Sequence, residues 1–373
     1  MRLLHKVLVN LVVLAVFLIL FYCFQTPNSI STNFYRNNYP RNDTRHDNNI
    51  STSLVAALTN PRVIYVERYN DSNTSVDEHN EVYNVWCIFT KVTSNSPMKR
   101  KFKIFIESLL KLATVKLAFH VISDTDSRSI AETLIHGVIS TTGKQMTVRY
   151  YDVHVLATEL EDIVSVMSPH FSSNPGTYYS DALFFLSLGL HRIAPADQNK
   201  AAMFDADTKF RTDIKELFKE FDNFGPDTLF GLTPELTPVY RHVLYLYRSK
   251  NPLTKFGEPS YLGGFPGFNS GMVLFNFKKL RESLEYDNIL SRDSVDSMTS
   301  KYYFKGHLGD QDFYTILGME RPELIHKVDC GWNRQLCTWW RDHGYADVFS
   351  NYSRCDAKVK LWHGNCNTPI PDY

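Results

Sequence analysis

The sequence predicts an α/β domain built on a mostly parallel sheet and carried behind an N-terminal membrane anchor. Three observations predict it. From about residue 84 onward, short apolar runs alternate with segments whose apolar residues recur at helical spacing, the pattern of parallel strands covered by helices. Residues 7–24 form an apolar run broken only by Asn10. The composition is that of a globular protein, 43% hydrophobic and 21% charged, which excludes wholesale disorder. The 373 residues suit one large domain or two ordinary ones with accessory segments. Formal charge cancels, 40 − 40 = 0, and a neutral chain lacks the basic footprint that nucleic acid requires. Aromatics reach 14%, which fits both a large core and a surface that stacks on sugar rings.

The elements follow in order. As a helix, residues 7–24 would span about 27 Å, one hydrocarbon core. Arg2, His5 and Lys6 precede the span, keeping residues 1–6 cytoplasmic and sending the rest to the lumen. A cleaved signal peptide would share the basic start and apolar middle, but the run ends in Phe21-Tyr22-Cys23-Phe24 with no small-residue cleavage site. A retained single-pass type II anchor is therefore expected. Residues 25–80 read as a lumenal stem, rich in Asn, Ser, Thr, Asp and Arg without sustained periodicity. Within it stand the glycosylation sequons Asn42-Asp-Thr, Asn49-Ile-Ser, Asn70-Asp-Ser and Asn73-Thr-Ser, and Asn351-Tyr-Ser adds another near the C-terminus. Ile64-Tyr65-Val66 reads as a short strand or a tether. A catalytic domain is expected over 81–373.

Within that domain, strands are predicted over 85–90, 116–122, 146–151 and 201–204. Helices are predicted over 102–112, 130–139 and 178–190. Ligands of such sheets sit outside the carboxyl ends of the strands. Neither GxGxxG nor a P-loop is present, which removes the main support for a dinucleotide-binding or P-loop reading. Cys330, Cys337, Cys355 and Cys366 form an even C-terminal cluster without a CxxC pair. In an oxidising lumen, disulfides outweigh zinc as the reading. Three pairings are open, and Cys330–Cys355 with Cys337–Cys366 is the one expected. Cys87, in a strand, is read as a buried lone thiol.

Asp205-Ala206-Asp207 follows the strand Ala-Ala-Met-Phe. Two carboxylates at the ligand edge of a sheet suit Mn²⁺ or Mg²⁺ and leave coordination sites for phosphate oxygens. Asp-x-Asp alone is more often a solvated turn; directly after a buried strand it is more specific. Gly267-Phe-Asn-Ser-Gly-Met-Val-Leu-Phe-Asn276, Gly309-Asp-Gln-Asp-Phe313 and Leu361-Trp-His-Gly364 come next in the chain.

In order and spacing, these four motifs resemble those of glycosyltransferase family 8 over about residues 85–366. Pro175-Gly-Thr-Tyr-Tyr-Ser-Asp181, Cys337-Thr-Trp-Trp-Arg-Asp-His-Gly-Tyr345 and His363-Gly-Asn-Cys-Asn-Thr-Pro-Ile-Pro371 resemble the branch of that family that extends xylose–glucose O-glycans on EGF repeats of Notch-type proteins. The resemblance implies the GT-A fold, a Rossmann-like nucleotide-sugar transferase architecture, as a single lumenal domain. It implies a retaining enzyme that moves α-xylose from UDP-xylose to the 3-OH of xylose in xylose-α-1,3-glucose. Another UDP-sugar transferase of the family, such as a glucoside xylosyltransferase, is the alternative, and a non-catalytic lumenal glycan-binding protein is the alternative of another class. The expected membrane is the endoplasmic reticulum, with the Golgi as alternative.

The site residues follow from the same resemblance. Asp205, Asp207 and His363 would hold Mn²⁺, with Mg²⁺ as the substitute. Phe89, Thr90, Lys91, Ala206, Asn269, Ser270 and Gly364 would meet the nucleotide sugar. Asn269, Ser270, Gln311, Trp339 and Asn365 would meet the acceptor glycan. Read from the residues alone, a single histidine is more often a satisfied core residue, Asn-Ser-Gly a turn, Asp310 or Asp312 a helix N-cap, and a tryptophan core packing. Gln311 would stand beside the anomeric carbon. It is a poor nucleophile, so a front-face substitution is expected in place of double displacement, with Asp310 or Asp312 as the alternative nucleophile. One feature departs from the wider family: no basic residue stands in Tyr179-Ser-Asp-Ala-Leu183, where many members carry one.

Overall fold

In this computed structural model, residues 63–68, 81–174 and 180–371 are described. The anchor over 7–24, Cys23, the stem sequons and residues 175–179 lie outside them. Among the described residues, no helix is long and apolar enough to cross a membrane.

A mixed eight-stranded sheet organises the chain. Its order is β1 (Val63–Arg68), β4 (Thr147–Asp152), β3 (Lys116–Ser123), β2 (Val82–Ile88), β5 (Lys200–Phe204), β8 (Phe268–Asn276), β7 (Phe230–Pro234) and β9 (Ile325–Lys327). The β4-β3-β2-β5 block is parallel throughout, and each of its strands coincides with a predicted apolar run. β8 runs antiparallel to β5 and β7. β1 pairs antiparallel with β4 at the edge, so the strand reading of Ile64-Tyr65-Val66 holds and the sheet recruits residues assigned to the stem.

Side chains alternate between two cores, as a strand's period of two requires. From β2, Trp86 enters one core while Val85 and Cys87 enter the other. From β8, Val273 and Phe275 enter the first while Met272 and Leu274 enter the second. Helix α1 (Met98–Leu112) covers the second face with Phe102, Phe105, Ile106, Leu109 and Leu110. Helix α2 (Thr125–Thr142) packs beside it. Both begin earlier than predicted. The first turn of α1 is basic and carries no apolar period, and α2 starts directly after β3, where Asp124 caps Ser127 N–H at 2.8 Å. Helix α3 (Glu161–Phe171) and helix α4 (Asp310–Glu320) cover the first face.

The helix predicted over 178–190 is a 3₁₀ segment over Ala182–Gly189, followed by one α-turn over Leu190–Ile193. Phe185 through Gly189 are all buried. Packing on every side, rather than an amphipathic stripe, sets this geometry.

A second, three-stranded sheet has the order β10 (Arg334–Gln335), β11 (Leu361–His363) and β6 (Thr208–Phe210). It is fastened by disulfides Cys330–Cys355 and Cys337–Cys366, with Cα separations of 5.9 and 5.3 Å. These are the expected pairs. Cys87 is buried and free.

Candidate active site

The cleft lies at the carboxyl ends of β2 and β5. Asp205 follows β5 directly, its N–H donating to Gly271 O of β8 at 3.1 Å. Asp207 closes the turn into β6. In the small sheet, β11 pairs with β6 so that His363 stands opposite Thr208. This register carries the chain's last strand back to the Asp-x-Asp turn. Gly364 N–H then donates to Asp207 O at 2.8 Å, locking the two segments together.

His363 Nε2 sits 3.3 Å from Asp205 Oδ2 and 3.4 Å from Asp207 Oδ1. One ligand atom from each of the three residues lies within 4.8 Å of the others. Two carboxylates and an imidazole at this spacing fit one divalent cation. Asp205 is half exposed, so the cluster opens on the cleft, while the His363 side chain is 4% exposed. Burial lowers the affinity of His363 for a proton, but its hydrogen bonds to Asp205 and Asp207 and their charges overcome this and raise its pKa to about 10. In Asp207, burial raises the pKa, while His363 and Lys101 outweigh it and bring the value to about 2. The cluster thus attracts positive charge strongly, whether a proton on the ring or a metal between the three side chains.

Gly271 makes the approach possible. A Cβ there would fall 2.3 Å from His363 Cε1 and 2.5 Å from Nδ1. We expect Gly271→Ala to displace the ring and weaken the binding of a divalent cation at the three side chains by about 10- to 100-fold; calorimetric titration with Mn²⁺ checks this, and unchanged affinity would refute it. Asn-Ser-Gly is not the turn that its composition suggests. It lies inside β8, at an irregularity where the register with β7 shifts between Leu232 and Thr233. The shift brings Asn269 and Ser270 to the cleft.

Gln311 lines the same cleft from the first turn of α4. Gly309, with φ of 70°, occupies the N-cap, and neither aspartate caps the helix there. Asp312 instead accepts from the backbone N–H groups of His307 and Leu308, both at 2.6 Å, and from Tyr240 OH at 2.9 Å. It is wholly buried, which removes it as a nucleophile. Asp310 lines the cleft between the hydroxyls of Ser187 and Ser270, at 2.5 and 2.9 Å. Burial raises its pKa to about 7 despite those bonds.

The remaining sequence-selected residues divide between two adjoining spaces. Phe89, Thr90, Ala206 and Asn365 line the metal cleft, of about 300 Å³. Lys91 lines a larger one of about 820 Å³, which Thr90 shares. Lys91 has a left-handed backbone with φ of 57°. Its N–H donates to Asp124 at 2.6 Å and its ammonium pairs with Asp181 across the space. Asn365 Oδ1 accepts from Leu336 and Cys337 N–H, so it also shapes the wall. Trp332 is core. Trp340 lines the metal cleft, whereas Trp339 is 49% exposed and stacked on His343 with ring centroids 3.8 Å apart.

Sequence reasoning missed three residues here. Lys101 reaches from α1 to Asp207 Oδ2 at 3.3 Å and Gly364 O at 2.8 Å. It supplies a cation at the metal turn that the 179–183 segment lacks. In sequence it hides in the basic run of residues 99–103, which reads as a solvated face. Glu235 and Tyr240 are buried partners of Gln311, and no motif marks them.

No family model matches the chain. Among curated proteins, xyloside xylosyltransferase 1 of Mus musculus is 46% identical over 295 residues, covering 78% of this chain and 75% of that protein. The Homo sapiens protein of the same name matches equally, with the same coverage. The chain belongs to the xyloside xylosyltransferase family. The crystal structure of the mouse protein, in its apo form, superposes with a TM-score of 0.74, covering 78% of this chain and all of that one. A bifunctional glycosyltransferase, WbbM, shares the fold alone, at 14% identity and a TM-score of 0.51 over 80% of this chain and 48% of that one. The sheet is that of GT-A glycosyltransferases, and the chain is a transferase of this family.

Proposed function

We propose that this enzyme transfers α-xylose from UDP-xylose, with retention, to the 3-OH of the xylose in xylose-α-1,3-glucose O-linked to EGF repeats. The observation that carries the proposal is the Asp205, Asp207 and His363 cluster sharing one cleft with Gln311, in a chain of this kinship. The three side chains would hold Mn²⁺, which when bound supplies positive charge to the departing diphosphate. Thr90, Lys91 and the adjoining space receive the nucleoside, and Ala206 and Gly364 the diphosphate region. Asn269, Ser270, Gln311 and Asn365 face the donor sugar and acceptor, with Trp340 as the wall and Trp339 on the outer rim toward the glycoprotein. The chain is held in the membrane of the endoplasmic reticulum by residues 7–24, with its catalytic domain lumenal.

The chemistry of the residues favours a retaining route without a covalent intermediate. With Asp312 buried and Gln311 an amide, the first turn of α4 offers the cleft one carboxylate, Asp310, which two hydroxyls hold. A front-face route suits this site: the acceptor hydroxyl enters on the side from which UDP leaves, passing its proton to the leaving phosphate, while the Gln311 dipole faces the developing oxocarbenium charge. A panel of UDP-sugars crossed with xylosyl-glucose and glucose acceptors tests the proposal. UDP release and product are expected with UDP-xylose and xylosyl-glucose. Turnover confined to another donor, or to glucose as acceptor, would overturn it.

A further inference from the structure

We propose that Glu235 is a positioning residue for the transfer, holding the Gln311 amide with its carbonyl oxygen on the Ser270 side of the cleft; this rests on the function proposed above. Gln311 Nε2 donates to Glu235 Oε2 at 3.2 Å and to Tyr240 OH at 3.3 Å. Its Oε1 accepts from Ser270 N–H at 3.4 Å. An amide can bind two ways round, so its direction depends on partners that cannot reverse. Backbone N–H groups are such partners, and three of them set the polarity here. Thr237 N–H donates to Glu235 Oε1 at 2.9 Å, Gly271 N–H to Asn269 Oδ1 at 3.0 Å, and Ser270 N–H to Gln311 Oε1. Asn269 is thereby bound to donate, and its Nδ2 meets Glu235 Oε2 at 2.9 Å. Asn333 Nδ2 donates to Asn269 Oδ1 at 2.8 Å, and Asn333 Oδ1 stands 2.9 Å from His363 Nδ1. Donation thus runs from the metal-side histidine through two asparagines to Glu235, and from Gln311 to the same carboxylate. All five side chains are buried, so no bulk water can substitute for a lost partner.

Glu235 is the one acceptor-only group of the five. Replaced by Gln, it must still offer oxygen to Thr237 N–H, which turns its own NH₂ against the NH₂ groups of both Asn269 and Gln311. Asn269 is pinned by Gly271 and Asn333. Gln311 is held by two longer contacts, Ser270 N–H at 3.4 Å and Tyr240 OH at 3.3 Å, so Gln311 is the amide that reverses and presents its NH₂ where a carbonyl oxygen faced the site. A partially positive group then opposes oxocarbenium charge.

The test is a double-mutant cycle on kcat, run beside calorimetric UDP affinity in Mn²⁺ and thermal unfolding of the metal-free protein. Glu235→Gln is expected to lower kcat about 10- to 100-fold, the scale of one hydrogen bond to a charged group, with UDP affinity changed less than about threefold. In a Gln311→Ala background, the same substitution is expected to change kcat less than about twofold, because its target is gone, while still lowering thermal stability. If Glu235 merely supports the fold, the loss in kcat will follow the loss in stability and recur in both backgrounds, and the proposal falls. Should Glu235→Gln fail to fold, Tyr240→Phe removes the second acceptor of Gln311 and carries the same cycle, with multiplicative losses again refuting. Wild-type inactivity across the donor panel would refute the proposed function instead, a separable outcome.

Discussion

Asp207→Asn is expected to leave a folded protein whose turnover is at least about 1000-fold slower, the upper scale for removing one preorganised electrostatic contact. The side chain touches two partners, His363 Nε2 at 3.4 Å and Lys101 Nζ at 3.3 Å, and lines the open cleft. An amide of the same shape keeps the packing and loses the charge. A neutral oxygen binds a divalent cation less well, and the Lys101 ammonium is left beside a neutral side chain. The same charge has a modest folding role. Its pKa is depressed from 3.8 to about 2, so its contribution to stability is present above the ordinary carboxylate range and fades as pH falls through that window. At neutral pH the metal-free variant should therefore unfold at a slightly lower temperature. The larger signal is ligand-dependent: Mn²⁺ with UDP should raise the unfolding temperature of the wild type and leave that of Asp207→Asn unchanged. Chelation should abolish wild-type activity and added Mn²⁺ restore it. Full activity in chelator, or an active Asp207→Asn enzyme, would remove the metal assignment.

How much of this was legible in the sequence depends on which forces act locally. The parallel block was legible because its strands are buried on both faces and read as continuous apolar runs. Helix α2 was legible in its apolar period and mistimed at its start, because Asp124 could serve either as the end of a strand or as a cap. The segment over Ala182–Gly189 defeats periodicity, since a segment buried all round has none to show. β1 falls in a polar context, and only its pairing with β4 identifies it.

The candidate metal cluster was legible through Asp205 and Asp207, two residues apart after a strand. His363 stands 156 positions beyond Asp207 by residue number, 363 − 207, and was found only because Leu361-Trp-His-Gly364 resembles a family motif. Its proximity is created by the β6–β11 register, which no local signal specifies. Lys101 was illegible for the opposite reason: several basic residues share the head of α1, and tertiary packing alone selects the one that meets Asp207. Glu235 was illegible because a lone glutamate after a strand usually meets solvent; here the fold buries it among donors. Asn269 was legible by type but not by conformation, since composition favours a turn and the pairing of β8 with β5 and β7 wins.

Gln311→Ala is expected to lower kcat about 100-fold while UDP-xylose affinity stays nearly intact, the mark of an interaction made mainly in the transition state. The residue is 8% exposed, and its carbonyl oxygen is held on the Ser270 side. It therefore contributes little to ground-state binding and much to a transient positive charge. Gln311→Glu separates the two retaining routes. A carboxylate there supplies the nucleophile that the wild type lacks, so a xylosyl-enzyme becomes accessible, whereas the front-face route forms no adduct in the wild type under any quench. Both routes keep the α configuration, so product stereochemistry does not discriminate. Intact-mass spectrometry with peptide mapping does. Because Asp312 is sealed by Tyr240 and two backbone N–H groups, the carboxylate of this helix turn that remains open to a wild-type pentose adduct is Asp310. Burial raises that group to about 7, so its charged, nucleophilic form grows as pH rises through neutrality. A wild-type adduct on Asp310 that accumulates with rising pH would establish double displacement and overturn the front-face assignment. Its absence across that range, together with an adduct in Gln311→Glu, leaves the amide to act through its dipole alone.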